Sequence, residues 1–291
     1  LAVACGAGAG MAAAYNVPFG GALFAMEVLL GSLALPTVIP ALLASLIATA
    51  CAWLLLPNQI VYPVSIAHLS GQELIWSLAA GPVLGFAAAW FIRAIAWADR
   101  QTHRGWRAFV MPTAVLLTLG LLSMPMPWIL GNGKDVIRAA YGNRFPLSLL
   151  FVLPFMRCLA TTGCLAGGIP GGLFTPTMTC GATLGALLGR VLAPLGINLD
   201  VSSCAIVGSG AFLAAATEGP VSSIVLLLEL TRQVQPIIVP ILLCVAGATL
   251  TTRALETRSI YSARIKVHPG GSVTPSDPSA RGDHAPYRRQ R

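Results

Sequence analysis

Long apolar stretches, separated by short polar or Gly/Pro-rich segments, dominate the pattern of this chain. Each is close to the roughly 20 residues with which an α-helix crosses a lipid bilayer. They cover residues 37–56, 75–92, 108–130, 147–166, 173–197 and 236–252. Other apolar segments, such as 19–35, 202–216 and 221–231, are short or cut by Gly and Pro, as in transporters and channels with broken helices. The pattern predicts an all-α polytopic membrane protein with short broken helices.

One glycine-rich break interrupts the apolar pattern at residues 167–176, which read GGIPGGLFTP. Because unpaired backbone groups are costly in a membrane, such a segment persists there only where it is buried in protein or lines a polar cavity. An apolar helix pattern restarts at Phe174. A break that opens a helix directs bare N–H groups and the positive end of the helix dipole at one point. The break therefore predicts an anion site.

Composition agrees with the membrane prediction, since 56% of the residues are hydrophobic and only 10% are charged, against about 25% charged in soluble domains. Of the 18 Lys and Arg, four lie in 93–107 and eight in 253–291. Basic residues in short loops mark the cytoplasmic side, so these two segments are predicted inside. The loop 57–73, which has no Lys or Arg, is predicted outside. Charge of this placement is a topology signal and argues against a nucleic-acid partner.

The chain divides into two predicted regions. Residues 1–266 form a transmembrane domain, whereas 267–291 are polar and rich in Pro, Gly, Ser and Arg, which predicts a disordered basic cytoplasmic tail. No pattern predicts an enzyme, a metal site or a cofactor, because no histidine pairs with a nucleophile on a span. The chain opens inside an apolar Gly/Ala run, from which we expect that it starts partway through a larger membrane domain.

An internal repeat relates two segments at an offset of 202 residues. GAGMAAAYNVP at 8–18 aligns with GAFLAAATEGP at 210–220, and each copy continues to a glutamate nine residues after its proline, Glu27 or Glu229. Transporters are commonly built from such repeats, often in inverted orientation, with the site at the repeat interface. The sequence leaves the relative orientation open. A partner of the 167–176 break would precede Leu1.

Four motifs in this chain carry a family resemblance. GGLFTP at 171–176 is similar to a GxFxP anion-binding motif, AYNVPFGGALFAME at 14–27 looks like AxFNxPxxGxLFxxE, GNGKD at 131–135 looks like a GNG/GGG loop, and IYS at 260–262 is similar to (L/I)YS. They occur in the order found in the CLC family of chloride channels and chloride/proton exchangers, and they run from Leu1 to about Lys266. The chain is therefore identified as resembling that family.

The resemblance implies a homodimer of inverted-repeat subunits in the lipid bilayer, each with its own chloride path. It implies an anion site at Gly172, Leu173, Phe174 and Tyr261, with the N–H groups of Leu173 and Phe174 and the Tyr261 hydroxyl as donors. Partial dipoles suit chloride, because conduction needs weak, multi-site binding. Without the motif, Phe174 is interpreted as a core aromatic and Tyr261 as an interfacial anchor. We expect a multi-pass protein of the plasma (inner) membrane with no cofactor.

This chain departs from the family pattern in two ways. The family's GSGIP serine loop and its GREGP loop with the gating glutamate are absent, and both should lie before Leu1. Exchangers of the family also carry a second glutamate directly after the position of Glu27, where this chain has Val28. Valine cannot relay a proton, so the expectation is channel-like or weakly proton-coupled chloride transport.

The remaining acidic residues in apolar segments have competing interpretations. An ionisable residue in a span is a functional candidate, but Glu27 and Glu229 occupy equivalent repeat positions near helix ends, which favours a structural role. Glu218 invites comparison with the gating loop. The repeat aligns it with Asn16 instead, so it is interpreted as a helix N-terminal residue favoured by the dipole. Arg157 is expected to pair with backbone carbonyls or a carboxylate.

Alternative functions stay open at this stage. They are a chloride/proton exchanger with rerouted coupling, an unrelated inverted-repeat transporter whose break holds an organic carboxylate, and a non-conducting fragment. Fluoride-selective members of the family are a narrower rival, against which Tyr261 argues.

Overall fold

A computed structural model describes residues 1–64, 71–101, 105–233, 235 and 237–262. The predicted tail at 267–291 lies outside the described residues. Within the described ranges all regular structure is helical. The α-helices are α1 Ala2–Tyr15, α2 Pro18–Phe24, α3 Leu35–Trp53, α4 Gly71–Asp99, α5 Arg107–Ser123, α6 Lys134–Tyr141, α7 Leu147–Ala166, α8 Phe174–Val191, α9 Val201–Thr217, α10 Pro220–Thr231 and α11 Ile238–Ala254. A π-helical turn, Ala25–Leu30, extends α2, and 3₁₀ turns cover Pro127–Ile129 and Ala193–Leu195.

The all-α prediction, with its mixture of long and short helices, is confirmed. Three helices are long and apolar enough to cross a membrane, namely α3, α4 and α7. Others are shorter apolar helices, among them α1, α5, α9, α10 and α11. Two predicted apolar stretches are each divided into an α-helix and a 3₁₀ turn that contains Pro. In the stretch 108–130 the α-helix ends at Ser123, and in the stretch 173–197 it ends at Val191.

The helix α4 begins earlier than the apolar stretch that predicts it, and Glu73 lies in its first turn rather than in an outer loop. Glu73 is buried, and its Oε1 accepts a hydrogen bond from the backbone N–H of Asp200 at 3.2 Å. Asp200 in turn caps α9, with its carboxylate accepting from the N–H groups of Ser202 and Ser203. A buried charge needs such partners, and hydropathy alone does not find them.

The two repeat copies fold alike. Asn16 ends α1 with φ 56°, Val17 follows, and Pro18 opens α2; in the second copy Glu218 ends α9 with φ 58°, Gly219 follows, and Pro220 opens α10. Both prolines occupy the first helical position, where their missing N–H costs no hydrogen bond.

The repeats are inverted with respect to each other. The start of α2 contacts the end of α10, since Glu229 accepts from Phe19 N, and the end of the α2 segment contacts the start of α10, since Glu27 accepts from Val221 N. The equivalent helices α2 and α10 are therefore antiparallel neighbours. This settles the orientation that the sequence leaves open and confirms the inverted-repeat fold.

Small residues allow close helix packing between α8 and α9. A Cβ at Gly181 would lie 2.5 Å from the carbonyl oxygen of Gly208, and a Cβ at Gly208 would lie 2.6 Å from that of Gly181. Neither position accepts a side chain, which is the small-residue packing by which membrane helices approach each other. This contact fixes α8, whose N-terminus is the predicted anion site.

Candidate anion site

The glycine-rich break connects α7 to α8 through a reversal of the chain. After α7 ends, Gly168 adopts φ 80°, and the N–H of Ile169 donates to the carbonyl of Cys164 at 2.9 Å. Gly171 and Gly172 follow in exposed positions where an added Cβ would meet open space. Residues 169–173 and Pro176 of the break line a cavity of about 390 Å³. This is the cavity-lining setting that irregular backbone requires inside a membrane.

The N-terminus of α8 presents unpaired donors. No side chain caps the helix at Leu173, and the hydrogen bond from Thr177 N to Leu173 O, 3.0 Å long, closes its first turn. Among the described residues, no acceptor receives the N–H of Leu173 or of Phe174. Because α8 has 18 residues, its dipole adds partial positive charge at this end.

A row of aromatic rings leads from Phe174 to Tyr261. The Phe24 ring lies 6.1 Å from the Phe174 ring and 5.8 Å from the Tyr261 ring, edge to face in both contacts. The N–H of Ile260 donates to Ala216 O at 2.9 Å, which fixes the segment that carries Tyr261 against α9. Phe174 and Tyr261, which are 87 positions apart in sequence, thus contact the same phenyl ring.

Two residues of this site, Phe24 and Tyr15, were not predicted to belong to it. The Tyr15 ring packs edge-on against Phe174 at 5.4 Å, and its hydroxyl lies 2.7 Å from the Thr175 hydroxyl. The ammonium group of Lys134 lies over the Tyr15 ring, 4.4 Å from its centroid. Both residues lie in the motif at 14–27, and that motif is the sequence signal that points to them.

The glutamates of the repeat are held by backbone donors. Glu229 accepts from Phe19 N at 3.2 Å and from Gly20 N at 2.7 Å. Glu27 accepts from Val221 N at 3.1 Å and from Ser222 N at 2.6 Å. Each carboxylate thereby binds the N-terminus of the other repeat's helix, where the dipole favours negative charge. These contacts give Glu27 and Glu229 a structural role at the helices α2 and α10, and neither contact involves the N-terminus of α8.

Val28 lies next to Glu27 and faces Gly219, where a Cβ added to the glycine would lie 2.5 Å from the Val28 Cγ2. The side chain is partly buried and packs against the main apolar core. Val28 is therefore a packing contact between the repeats.

The interpretation of Glu218 needs correction. It is the C-cap of α9 in the left-handed region, and Gly219 rather than Glu218 is the N-cap of α10. Burial raises the pKa of the Glu218 carboxyl, while Arg253, the N–H of Ser259 and Arg258 oppose that rise. The residue thus faces the end of α11 and the segment that follows it, and it does not cap α10. The sequence could not show this, because the partners lie 35 or more positions away.

The expectation for Arg157 is confirmed. Its guanidinium donates to Gly131 O at 2.8 Å and to Leu130 O at 3.1 Å, so it pairs with backbone carbonyls of the GNG loop. This contact joins α7 to the loop that precedes α6.

Comparison with known proteins agrees with the motifs. The family model described as "Voltage gated chloride channel" matches residues 1–253. A putative ClcB-like chloride channel protein of Ralstonia nicotianae is 33% identical over 90% of this chain and 62% of its own length. The ClcA H⁺/Cl⁻ exchange transporter of Klebsiella pneumoniae is 30% identical over 89% of this chain and 57% of its own length.

Solved structures share the fold. The crystal structure of a slow cyanobacterial Cl⁻/H⁺ antiporter superposes with a TM-score of 0.79 at 23% identity, covering 89% of this chain and 63% of that one. This chain spans less than two thirds of the length of each of these three proteins. The family model, the relatives and the inverted-repeat fold lead to one conclusion: the chain belongs to the voltage-gated chloride channel (CLC) family of membrane proteins.

Proposed function

We propose that this protein moves chloride, or a similar small anion, across a membrane along a path that passes the N-terminus of α8. The observation that carries the proposal is that, in the part of the chain that the structure describes, the N–H groups of Leu173 and Phe174 at the start of buried helix α8 have no acceptor. Family membership excludes the unrelated organic-anion transporter considered from the sequence. The family is one of channels and transporters, which agrees with the expected absence of enzymatic activity.

In this proposal the anion is bound by Leu173 N, Phe174 N and the Tyr261 hydroxyl, with Gly172 leaving room for its approach. The Phe24 ring contacts both the Phe174 ring and the Tyr261 ring, which supports a shared site. Backbone dipoles and one hydroxyl are a weak donor set. Such a set can replace the water of chloride without holding the ion too tightly for passage.

Transport is channel-like or weakly coupled to protons, because Val28 offers no group that binds a proton. Coupled exchange by a rerouted proton path is the second candidate, favoured by the exchanger among the relatives. The experiment that separates them is a reversal-potential measurement on reconstituted protein. With a chloride gradient and a pH gradient, a potential that follows chloride alone supports conduction, whereas a steep shift with the pH gradient supports exchange.

The proposed topology places the C-terminus in the cytoplasm of a cell whose plasma (inner) membrane holds the protein. Arg93, at the start of the basic segment 93–107, donates to Leu255 O at 3.3 Å, so that segment and the end of α11 share one face. Asn16 contacts Asn58 in the segment without Lys or Arg, on the other face. We propose a homodimer in the bilayer, which chemical cross-linking in membranes tests.

A further inference from the structure

Lys134 places a positive charge beside the candidate site, and no carboxylate of the described residues forms an ion pair with it. It is the first residue of α6, it is partly buried, and its ammonium lies 4.4 Å from the centre of the Tyr15 ring. In the described part of the chain the ion pair near it joins Arg138 and Asp135 at 4.0 Å, and no carboxylate pairs with Lys134. A cation–π contact neutralises no charge, so the ammonium keeps its attraction for an anion.

The Tyr15 ring connects this charge to the anion site. One edge contact joins the ring to Phe174, and the Tyr15 hydroxyl shares a hydrogen bond of 2.7 Å with the Thr175 hydroxyl. Two hydroxyl groups contain two hydrogens, and one hydrogen bond uses only one of them. Across the described residues neither hydroxyl has another partner, so the pair retains one free O–H donor.

The three donors occur in an order along the molecule. Lys134 and the end of α1 lie near the segment 57–64, since Arg138 donates to Val61 O at 3.2 Å and Asn16 donates to Asn58. Thr175 is the second residue of α8, one position after Phe174. The contacts therefore run from the ammonium, over the Tyr15 ring, to the hydroxyl pair at the start of α8.

We propose that Lys134, Tyr15 and Thr175 form an outer recruiting site for the transported anion, an inference that rests on the proposed function. A full charge inside a narrow dry site would hold chloride too tightly. At a partly exposed position water screens it, and the attraction between unit charges 4 Å apart falls to about 1 kcal/mol. Such a charge raises the local anion concentration and the rate of entry. The free hydroxyl donor then receives the ion before it reaches Phe174.

The first test uses charge removal with a matched control. Lys134→Gln and Arg138→Gln remove the same charge from the same helix, one turn apart, and Arg138 does not contact the aromatic row. We expect the chloride concentration for half-maximal flux into vesicles to rise roughly fivefold in Lys134→Gln at low ionic strength. The difference should shrink when an impermeant salt is added, because salt screens exposed charges.

The second test separates the hydroxyl from the ring. Tyr15→Phe and Thr175→Val remove the hydroxyl pair and retain shape, and Thr175→Ser restores it. We expect flux at low chloride to fall roughly threefold in the first two variants, as for one lost hydrogen bond, and to recover in Thr175→Ser. Their dependence on ionic strength should remain that of the wild type.

The outcomes distinguish the recruiting site from the proposed chloride transport on which it rests. The recruiting site is overturned, and chloride transport is left intact, if the wild type shows chloride flux while two results fail to appear. These are a difference in chloride dependence between Lys134→Gln and Arg138→Gln, and a loss of flux in Tyr15→Phe. A wild-type protein that reconstitutes without chloride flux would overturn the proposed function and the recruiting site together.

Discussion

Glu27 and Glu229 each cap the helix of the opposite repeat. The carboxylate of Glu229 binds the first N–H groups of α2, and that of Glu27 binds the first N–H groups of α10, with matching bond lengths of 2.7 and 2.6 Å for the shorter contacts. The two contacts are related by the same inversion as the repeats. They explain why an acidic residue stands nine positions after each proline in two otherwise apolar segments.

Removal of either carboxylate should destabilise the protein. Glu27→Ala and Glu229→Ala each leave two N–H groups without acceptors in an apolar setting, and we expect a loss of roughly 1–3 kcal/mol for each. The measurement is thermal unfolding in detergent, followed by circular dichroism. Asp135→Ala is the control, since that side chain is 87% exposed and pairs only loosely. Unfolding temperatures for both variants equal to that of Asp135→Ala would contradict the capping role.

The contact between Val28 and Gly219 predicts a compensating pair of substitutions. Gly219→Ala places a methyl group 2.5 Å from Val28 Cγ2, and overpacking of this kind costs about 1–3 kcal/mol. Val28→Ala in the same protein should recover part of that stability. Gly163→Ala, at a helical position with open space around it, serves as the control. Equal stability of Gly219→Ala with and without Val28→Ala would show that the two residues do not press on each other.

A carboxyl at position 28 should introduce proton movement. In Val28→Glu we expect chloride flux into vesicles to carry protons, because the side chain gains a titratable group at the repeat interface. A pH-sensitive dye inside vesicles under a chloride gradient measures it. Val28→Gln is the control, because a glutamine side chain has nearly the same shape as a glutamate side chain but cannot relay a proton in this way. Indistinguishable dye responses from the Glu and Gln variants would remove position 28 from the account of coupling.

The environment of Glu218 predicts a pH dependence of stability. Burial raises the pKa of this carboxyl in the folded protein, against the opposing effect of Arg253. The folded state then holds the proton more tightly than the unfolded state does, so stability falls as the pH rises from the ordinary carboxyl value through the folded value. Glu218→Gln should lack this contribution. Unfolding midpoints measured from pH 4 upward, roughly the carboxyl range, compare the two proteins; a parallel pH profile would contradict the shift.

Much of the architecture followed from local pattern. Apolar stretches marked α3, α4 and α7, and the repeat aligned the two prolines that open α2 and α10. Contacts between segments that are distant in the sequence could not be predicted from local pattern. Hydropathy gave no sign that Glu73 would be buried against Asp200, or that Glu218 would face Arg253. The same limit hid Tyr15 and Phe24, whose roles depend on ring contacts with residues more than 140 positions away.

The aromatic row and its hydroxyl predict changes in transport. Tyr261→Phe removes the proposed hydroxyl donor, and Phe174→Ala removes the ring that contacts Phe24 and Tyr15 while retaining the backbone N–H. We expect either to alter the rate of chloride flux or the preference among chloride, nitrate and fluoride. Phe109→Ala, at an 80% exposed position on α5, is the control. Unaltered rate and preference in both site variants would refute the assignment of these side chains.

The anion site itself is tested most directly by diffraction from crystals soaked in bromide, which replaces chloride and scatters anomalously. The account predicts an anomalous peak within hydrogen-bond distance of Leu173 N and Phe174 N, on the side that faces the Tyr261 hydroxyl, and a weaker peak in Tyr261→Phe. Ordered bromide elsewhere in the crystal, with no peak at the N-terminus of α8, would contradict the account.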